Sequence, residues 1–250
     1  MSIRAVKGKV YNKIPVRNVI ASTYDKSGLD EFALSLLDNS PEVRFISTGG
    51  TYKELEKIFN KNSVPLTEHL ISMEKYSGKK QMEGDLVKSF TPGNFGGLLG
   101  ERGNENHQEY LRGENADFID MVIINLYPFI DVMNKVLKGE INPNTEKPYT
   151  TEDARGYIDI GGPSMLSAAA KNYLSCAAVS SPIDYKEIIK NVTQNGGCTD
   201  LWHRHELKNG VNTAIKKYYL AIEKFDQLQS SPQNWKDNVL PCYDIVDKLE

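Results

Sequence analysis

Phe118-Ile119-Asp120-Met121-Val122-Ile123-Ile124-Asn125-Leu126 is the most hydrophobic strand-like stretch of the chain. A run of this kind belongs inside a parallel sheet, covered on both faces. It ends at Tyr127-Pro128-Phe129, where Pro128 confines Tyr127 to extended geometry and forces a turn. On its N-terminal side, Val19-Ile20-Ala21-Ser22-Thr23 reads as a strand that runs into the polar turn Tyr24-Asp25-Lys26-Ser27-Gly28. A helix follows, with Leu29, Phe32, Ala33, Leu36 and Leu37 on one face. The same order repeats at once. Val43-Arg44-Phe45-Ile46 is a strand, Ser47-Thr48-Gly49-Gly50-Thr51 a turn, and Tyr52, Leu55, Ile58 and Phe59 mark the next helix. Strand, glycine-containing turn and helix in repetition predict an α/β fold with a mainly parallel sheet.

Residues 72–117 break the pattern, being polar and rich in Gly, Lys and Asn, with little periodicity beyond Gly97-Leu98-Leu99. So long a stretch is expected to be functional or mobile. Residues 139–150 read as a surface loop. Asp159-Ile160-Gly161-Gly162-Pro163 leads into a helix from Ser164 to Asn172 with the run Ala168-Ala169-Ala170. Cys176-Ala177-Ala178-Val179 is a last short strand, 182–192 a helix, and 199–228 one long amphipathic helix. The expected organisation is a ragged basic extension over 1–17, one domain over 18–228 with helical C-terminal trim, and a peripheral tail over 229–250.

Thirty basic against thirty-three acidic residues, a formal charge of -3, give no support to nucleic-acid binding. Three scattered cysteines make neither a disulfide framework nor a zinc site, and no metal is expected. No apolar run is long enough to span a bilayer, and the basic start lacks the apolar stretch of a secretion signal. A cytoplasmic protein is expected. His203-Arg204-His205 places its two imidazoles about 200° apart on a helix, which favours surface histidines over a metal pair.

Ligands of open α/β sheets bind beyond the carboxyl ends of the strands, and here each of those ends is polar. Ser47-Thr48-Gly49-Gly50-Thr51 could cradle a phosphate, through backbone N–H groups, hydroxyls and a helix N-terminus, with Lys26 supplying charge. Taken alone, the same residues serve equally well as strand-to-helix turn chemistry. Asp159 and Lys171 stand at opposite ends of a short helix, and spacing alone favours a capping carboxylate and a C-terminal lysine.

Four blocks occur in order: Tyr24-Asp25-Lys26-Ser27-Gly28-Leu29, Ile46-Ser47-Thr48-Gly49-Gly50-Thr51, Asn125-Leu126-Tyr127-Pro128-Phe129, and Ile158-Asp159-Ile160-Gly161-Gly162-Pro163-Ser164-Met165-Leu166 with Ala168-Ala169-Ala170-Lys171-Asn172. Over residues 18–228 the chain resembles the N-terminal half of the bifunctional enzyme family that joins an aminoimidazole carboxamide ribotide formyltransferase to IMP cyclohydrolase. The resemblance implies a methylglyoxal-synthase-like three-layer fold and a homodimer. It also implies closure of a formamido carboxamide ribotide to IMP, with loss of water and no cofactor. Only about twenty residues follow the long helix, so a free-standing cyclohydrolase is expected, with a separate formyltransferase as a further partner. By motif, the resemblance assigns catalysis to Lys88, Tyr127, Asp159 and Lys171. It places substrate on Asp25, Lys26, Ser27, Thr48, Gly49, Gly50, Thr51, Ser89, Asn125, Ile160, Gly161 and Gly162.

One segment departs from the family. Where relatives read Arg-Val-Lys-Thr-Leu-His-Pro and then a histidine-containing glycine turn, this chain has Leu86-Val87-Lys88-Ser89-Phe90-Thr91-Pro92 and Asn94-Phe95-Gly96-Gly97. An arginine and two histidines are absent, and Leu86 cannot imitate a bidentate guanidinium. Lys75, Lys79 and Lys80 are nearby cations. Tyr24 stands where a small hydroxyl residue is usual. The alternative from another class is a nucleotide-sensing domain of the same fold that has lost turnover. A third candidate, methylglyoxal synthase itself, would need its own catalytic aspartates. Tyr218, Tyr219 and Phe225, at helical spacing, read as packing or as a subunit interface.

Overall fold

The structure, a computed structural model, describes residues 8–78, 87 and 89–243. Lys88 and Leu86, together with Lys79 and Lys80, lie outside the described residues. The chain opens with β1 (Lys13–Pro15), β2 (Asn18–Thr23), α1 (Leu29–Asn39), β3 (Arg44–Ser47) and α2 (Gly49–Lys61). The short pieces α3 (Leu66–His69), β4 (Leu70–Ser72) and α4 (Met73–Ser77) follow, then α5 (Pro92–Leu99) and α6 (Glu105–Gly113). Next come β5 (Met121–Asn125), α7 (Phe129–Lys138), the strand pair β6 (Ile141–Asn142) and β7 (Lys147–Pro148), and α8 (Thr151–Gly156). The last major elements are α9 (Gly161–Lys171), β8 (Ala177–Val179), α10 (Tyr185–Gln194), β9 (Cys198–Asp200) and α11 (Leu201–Gln229). Two compact units result, residues 1–126 with 161–212, and 127–160 with 213–250.

The first unit is built on a five-stranded sheet in the order β4-β3-β2-β5-β8, with every neighbouring pair parallel. This is the α/β, mainly parallel architecture expected from the sequence. Its alternating residues divide between two faces. Val19 and Ala21, Phe45, Met121 and Ile123, and Ala177 and Val179 join one core with α1, α2 and α10. Within that core α1 contributes Leu29, Phe32, Ala33 and Leu36, and α2 contributes Leu55, Ile58 and Phe59, each a helical stripe. Ile20, Ile46, Val122, Ile124 and Ala178 are buried on the opposite face, where α9 packs on β5 and β8. The alanines of α9 let its backbone come close to the sheet, and Asn172 just beyond it donates to the carbonyls of Leu98 (2.8 Å) and Gly100 (3.0 Å) at the end of α5.

Three features differ from the sequence-based expectations. The stretch 72–117 holds α4, α5 and α6, whose starts are fixed by caps rather than by periodicity. Thr91 accepts the Asn94 N–H with Pro92 in the first turn, and Asn104 accepts the Asn106 N–H. Within α5, position 97 requires glycine because a side chain there would collide with the Asp117 carbonyl. Residues 13–15, read as part of a ragged extension, form β1 antiparallel to β9, and Ile14 and Val16 are buried. Part of the 139–150 loop is the small β6–β7 pair.

Arg204, on α11, is fully buried and faces no carboxylate within ion-pair distance among the described residues. Its guanidinium instead donates to the carbonyls of Tyr11 (2.8 Å), Asn12 (3.2 Å), Tyr173 (2.9 Å), Leu174 (3.2 Å) and Thr199 (2.5 Å). Burial pulls its pKa down to about 10, which leaves it a cation at neutral pH. One side chain thus fastens the β1 approach, the α9–β8 turn and β9 together. Arg204→Met removes the donor from five carbonyls, most of them part-buried, and it should cost about 3 kcal/mol of unfolding free energy. Thermal denaturation should then show a midpoint lower by roughly 6–12 °C. A midpoint within error of wild type would show that these bonds hold nothing together.

Candidate functional site

The sheet order reverses direction at β2: β3 and β4 lie to one side, β5 and β8 to the other. In open α/β sheets the ligand crevice forms beyond the carboxyl ends of the strands at such a switch point. Here those ends are Thr23, at the end of β2, and Asn125, at the end of β5 and paired with it. The Asn125 carboxamide organises the spot. Its oxygen accepts the N–H groups of Tyr24 and Asp25, both at 2.7 Å, and its nitrogen donates to the Asp25 carbonyl at 2.8 Å. The turn is closed by Asp25, whose carboxylate accepts the Ser27 N–H (2.9 Å) and hydroxyl (2.6 Å). Those two bonds hold the Asp25 carboxyl below the usual carboxylate range, against a small opposing effect of burial.

The adjoining strand end feeds α2. Thr51, buried in its first turn, accepts the Thr23 N–H (2.9 Å) and donates to the Thr23 carbonyl (3.0 Å), which ties α2 to β2. Gly49 takes a left-handed φ of 48°, which a residue without Cβ adopts at little cost. Thr48 makes no side-chain cap, the first turn carries no acidic residue, and the Gly49 and Gly50 N–H groups have no acceptor among the described residues. Lys26 lies over this end, its Nζ 3.3 Å from the carbonyls of Thr23 and Tyr24, and a side-chain carbon on Gly50 would sit 3.8 Å from it. Open N–H groups, the positive end of a helix dipole and an ammonium converge as an anion site would require.

Asp25, Lys26, Ser27, Thr48, Gly49, Gly50, Thr51 and Asn125 therefore gather at one place in the first unit. Among them Asp25 and Asn125 spend their polar atoms on shaping the loop. Ser89 is buried elsewhere in the same unit, 3.2 Å from where a side chain on Gly161 would stand. Gly161 and buried Gly162 open α9, and Lys171 closes it as an exposed residue. The helical rise puts Gly161 and Lys171 about 15 Å apart. The residues that depart from the family also have structural employment: Thr91 caps α5, and Phe95 stacks on Phe90 with ring centroids 5.6 Å apart.

Tyr127, Asp159 and Ile160 belong to the second unit. Tyr127 is exposed and meets the Tyr157 ring edge-on, with centroids 6.5 Å apart. The Asp159 N–H donates to the Tyr218 hydroxyl at 2.7 Å, and that hydroxyl donates to the Tyr157 carbonyl at 3.0 Å. Sequence reading assigned Tyr218 to packing and missed this contact, because its partners lie about sixty residues away. Among the described residues, no group of three His, Cys, Asp or Glu is placed to hold a metal, and no helix is long and apolar enough to cross a membrane.

No family model matches the chain. Curated relatives are found instead. The bifunctional purine biosynthesis protein PurH of Enterococcus faecalis is 37% identical over 180 residues, which cover 72% of this chain and 31% of that protein. The protein of the same name from Rhodospirillum rubrum is 33% identical over 218 residues, 87% of this chain and 37% of that protein. For Clostridium botulinum the figures are 33% over 210 residues, 84% and 38%. The chain thus spans less than two fifths of the length of these relatives. In fold it resembles the crystal structure of ForH, with a TM-score of 0.65 at 23% identity over 84% of this chain and 98% of that one. This likeness agrees with the parallel α/β architecture described above. By its sequence the chain belongs to the PurH family, matching one part of that larger protein.

Proposed function

We propose that this chain is an IMP cyclohydrolase. It would close 5-formamidoimidazole-4-carboxamide ribotide to IMP with loss of water, in the cytoplasm and without a cofactor. The observation that carries the proposal is the anion site at the switch point, where Lys26 faces the open N-terminus of α2 in a chain of the PurH family. The ribotide phosphate would rest on the Gly49 and Gly50 N–H groups, Thr48 and Lys26, with the base toward Asn125, Ser89, Ile160, Gly161 and Gly162.

Both reacting groups sit on one substrate, so holding it still supplies much of the rate. The carboxamide nitrogen must attack the formyl carbon, and charge then builds on the formyl oxygen. Tyr127 and Lys88 are assigned to stabilise that charge. Asp159 would take the proton from the attacking amide, and Lys171 would deliver one to the departing hydroxyl. Asp159 precedes Gly161 by two residues, whereas Lys171 lies at the far end of α9. We further propose that the working form is a homodimer with two shared sites, each taking Lys171 from the other copy of the chain. The formylated substrate would come from a separate formyltransferase.

Leu86 in place of an arginine, and Thr91 and Phe95 in place of two histidines, favour a second reading, a domain that binds purine monophosphates without turning them over. A cyclisation assay separates the two. Purified protein with the formamido ribotide should form IMP well above background, and Lys171→Met should abolish this while IMP still raises the melting temperature. Stabilisation by IMP with no turnover would establish the binder, and neither signal would sink both.

The sharing of sites has its own test. Asp159→Asn and Lys171→Met chains, each inactive alone, should recover about a quarter of wild-type activity once mixed and exchanged, because half the dimers then hold one intact site. No recovery after proven exchange would place both residues in a single-chain site.

A further inference from the structure

We propose that Tyr218 is a positioning residue for the reaction, its hydroxyl fixing the Tyr157–Asp159 backbone and so the placement of Asp159 and Tyr127. The inference deepens the cyclohydrolase reading and rests on it. Tyr218 is 5% exposed and lies on the C-terminal half of α11, within the second unit. Its oxygen is used twice, as acceptor from the Asp159 N–H at 2.7 Å and as donor to the Tyr157 carbonyl at 3.0 Å. Both bonds fall on the three-residue stretch that ends at the proposed base. A phenol bridging a carbonyl and an amide two residues apart sets the direction in which the Asp159 Cα–Cβ bond leaves the backbone.

The same stretch supports the other proposed group. The Tyr157 ring stands edge-on to Tyr127, so fixing the Tyr157 backbone also backs the exposed Tyr127 ring. Tyr218 is in turn wedged against Phe129, 6.1 Å between centroids, and Phe129 against Phe225 at 5.8 Å. Phe129 opens α7 two residues after Tyr127. An edge-to-face aromatic cluster therefore backs the Tyr218 ring. Burial raises the phenol to about 12, so it remains protonated and able to donate throughout the working range. Packing alone needs the ring; only the positioning role needs the oxygen.

Tyr218→Phe keeps the ring and removes both hydrogen bonds. Expected is a fall in kcat of about 10- to 100-fold, the scale of an ångström-sized misplacement. KM should stay within about twofold, since no group on the phosphate is touched. Tyr219→Phe, an exposed neighbour, should behave as wild type. If Tyr218→Phe does not stay folded, fluorotyrosine at position 218 keeps ring and hydroxyl but weakens the oxygen as an acceptor. It should lower kcat several-fold with KM unchanged. An unchanged kcat in an active protein, for whichever variant folds, would overturn the positioning role and leave the cyclohydrolase reading intact. A wild-type protein that forms no IMP would overturn both.

Discussion

Asn125 stands at the end of β5, and its carboxamide satisfies three backbone groups of the loop that leaves β2. The rest of the candidate anion site depends on that constraint. A loop of five polar residues could take many shapes, and a strand end by itself fixes none of them. By holding Tyr24 and Asp25, Asn125 sets where the loop turns, and the Asp25–Ser27 bonds complete the turn into α1. Lys26 is then delivered to the open end of α2, which Thr51 has anchored to Thr23. The parallel sheet supplies the reason these groups meet, since the reversal of strand order places β2 and β5 side by side with α2 entering from the neighbouring strand.

Much of this was legible locally. The strands β2, β3 and β5 and the helices α1 and α2 were readable because each carries its burial pattern within a few residues, a continuous apolar run or a 3.6-residue stripe. The glycine-threonine stretch was readable as a strand-to-helix turn because its glycines and the helix start are local features. What was not legible depended on distant partners or on caps. The helices of 72–117 are short and hold their starts through Thr91 and Asn104, so no stripe announced them. β1 is a strand only because β9, far along the chain, pairs with it. A lone Arg between two histidines gives no hint of five carbonyl acceptors drawn from three segments. Tyr218 read as an aromatic of a packed helix face, since nothing near it in sequence reveals where its hydroxyl ends.

The departures from the family pattern are also physically coherent. A charged or titratable side chain replaced by a helix cap and an aromatic pair keeps α5 in place while changing what it presents. The scaffold around Asn125, Thr51 and Lys26 is not affected by those departures. In the proposed reading, phosphate binding and the ring-closing chemistry fall to different residues.

The measurement that bears most directly on the account is a crystal structure of the protein with IMP bound. Expected is a phosphate within hydrogen-bond distance of the Gly49 and Gly50 N–H groups and of Lys26 Nζ, with the Asn125 carboxamide still holding the β2–α1 loop. A nucleotide phosphate seated anywhere else on the chain, with the N-terminus of α2 left to solvent, would contradict it.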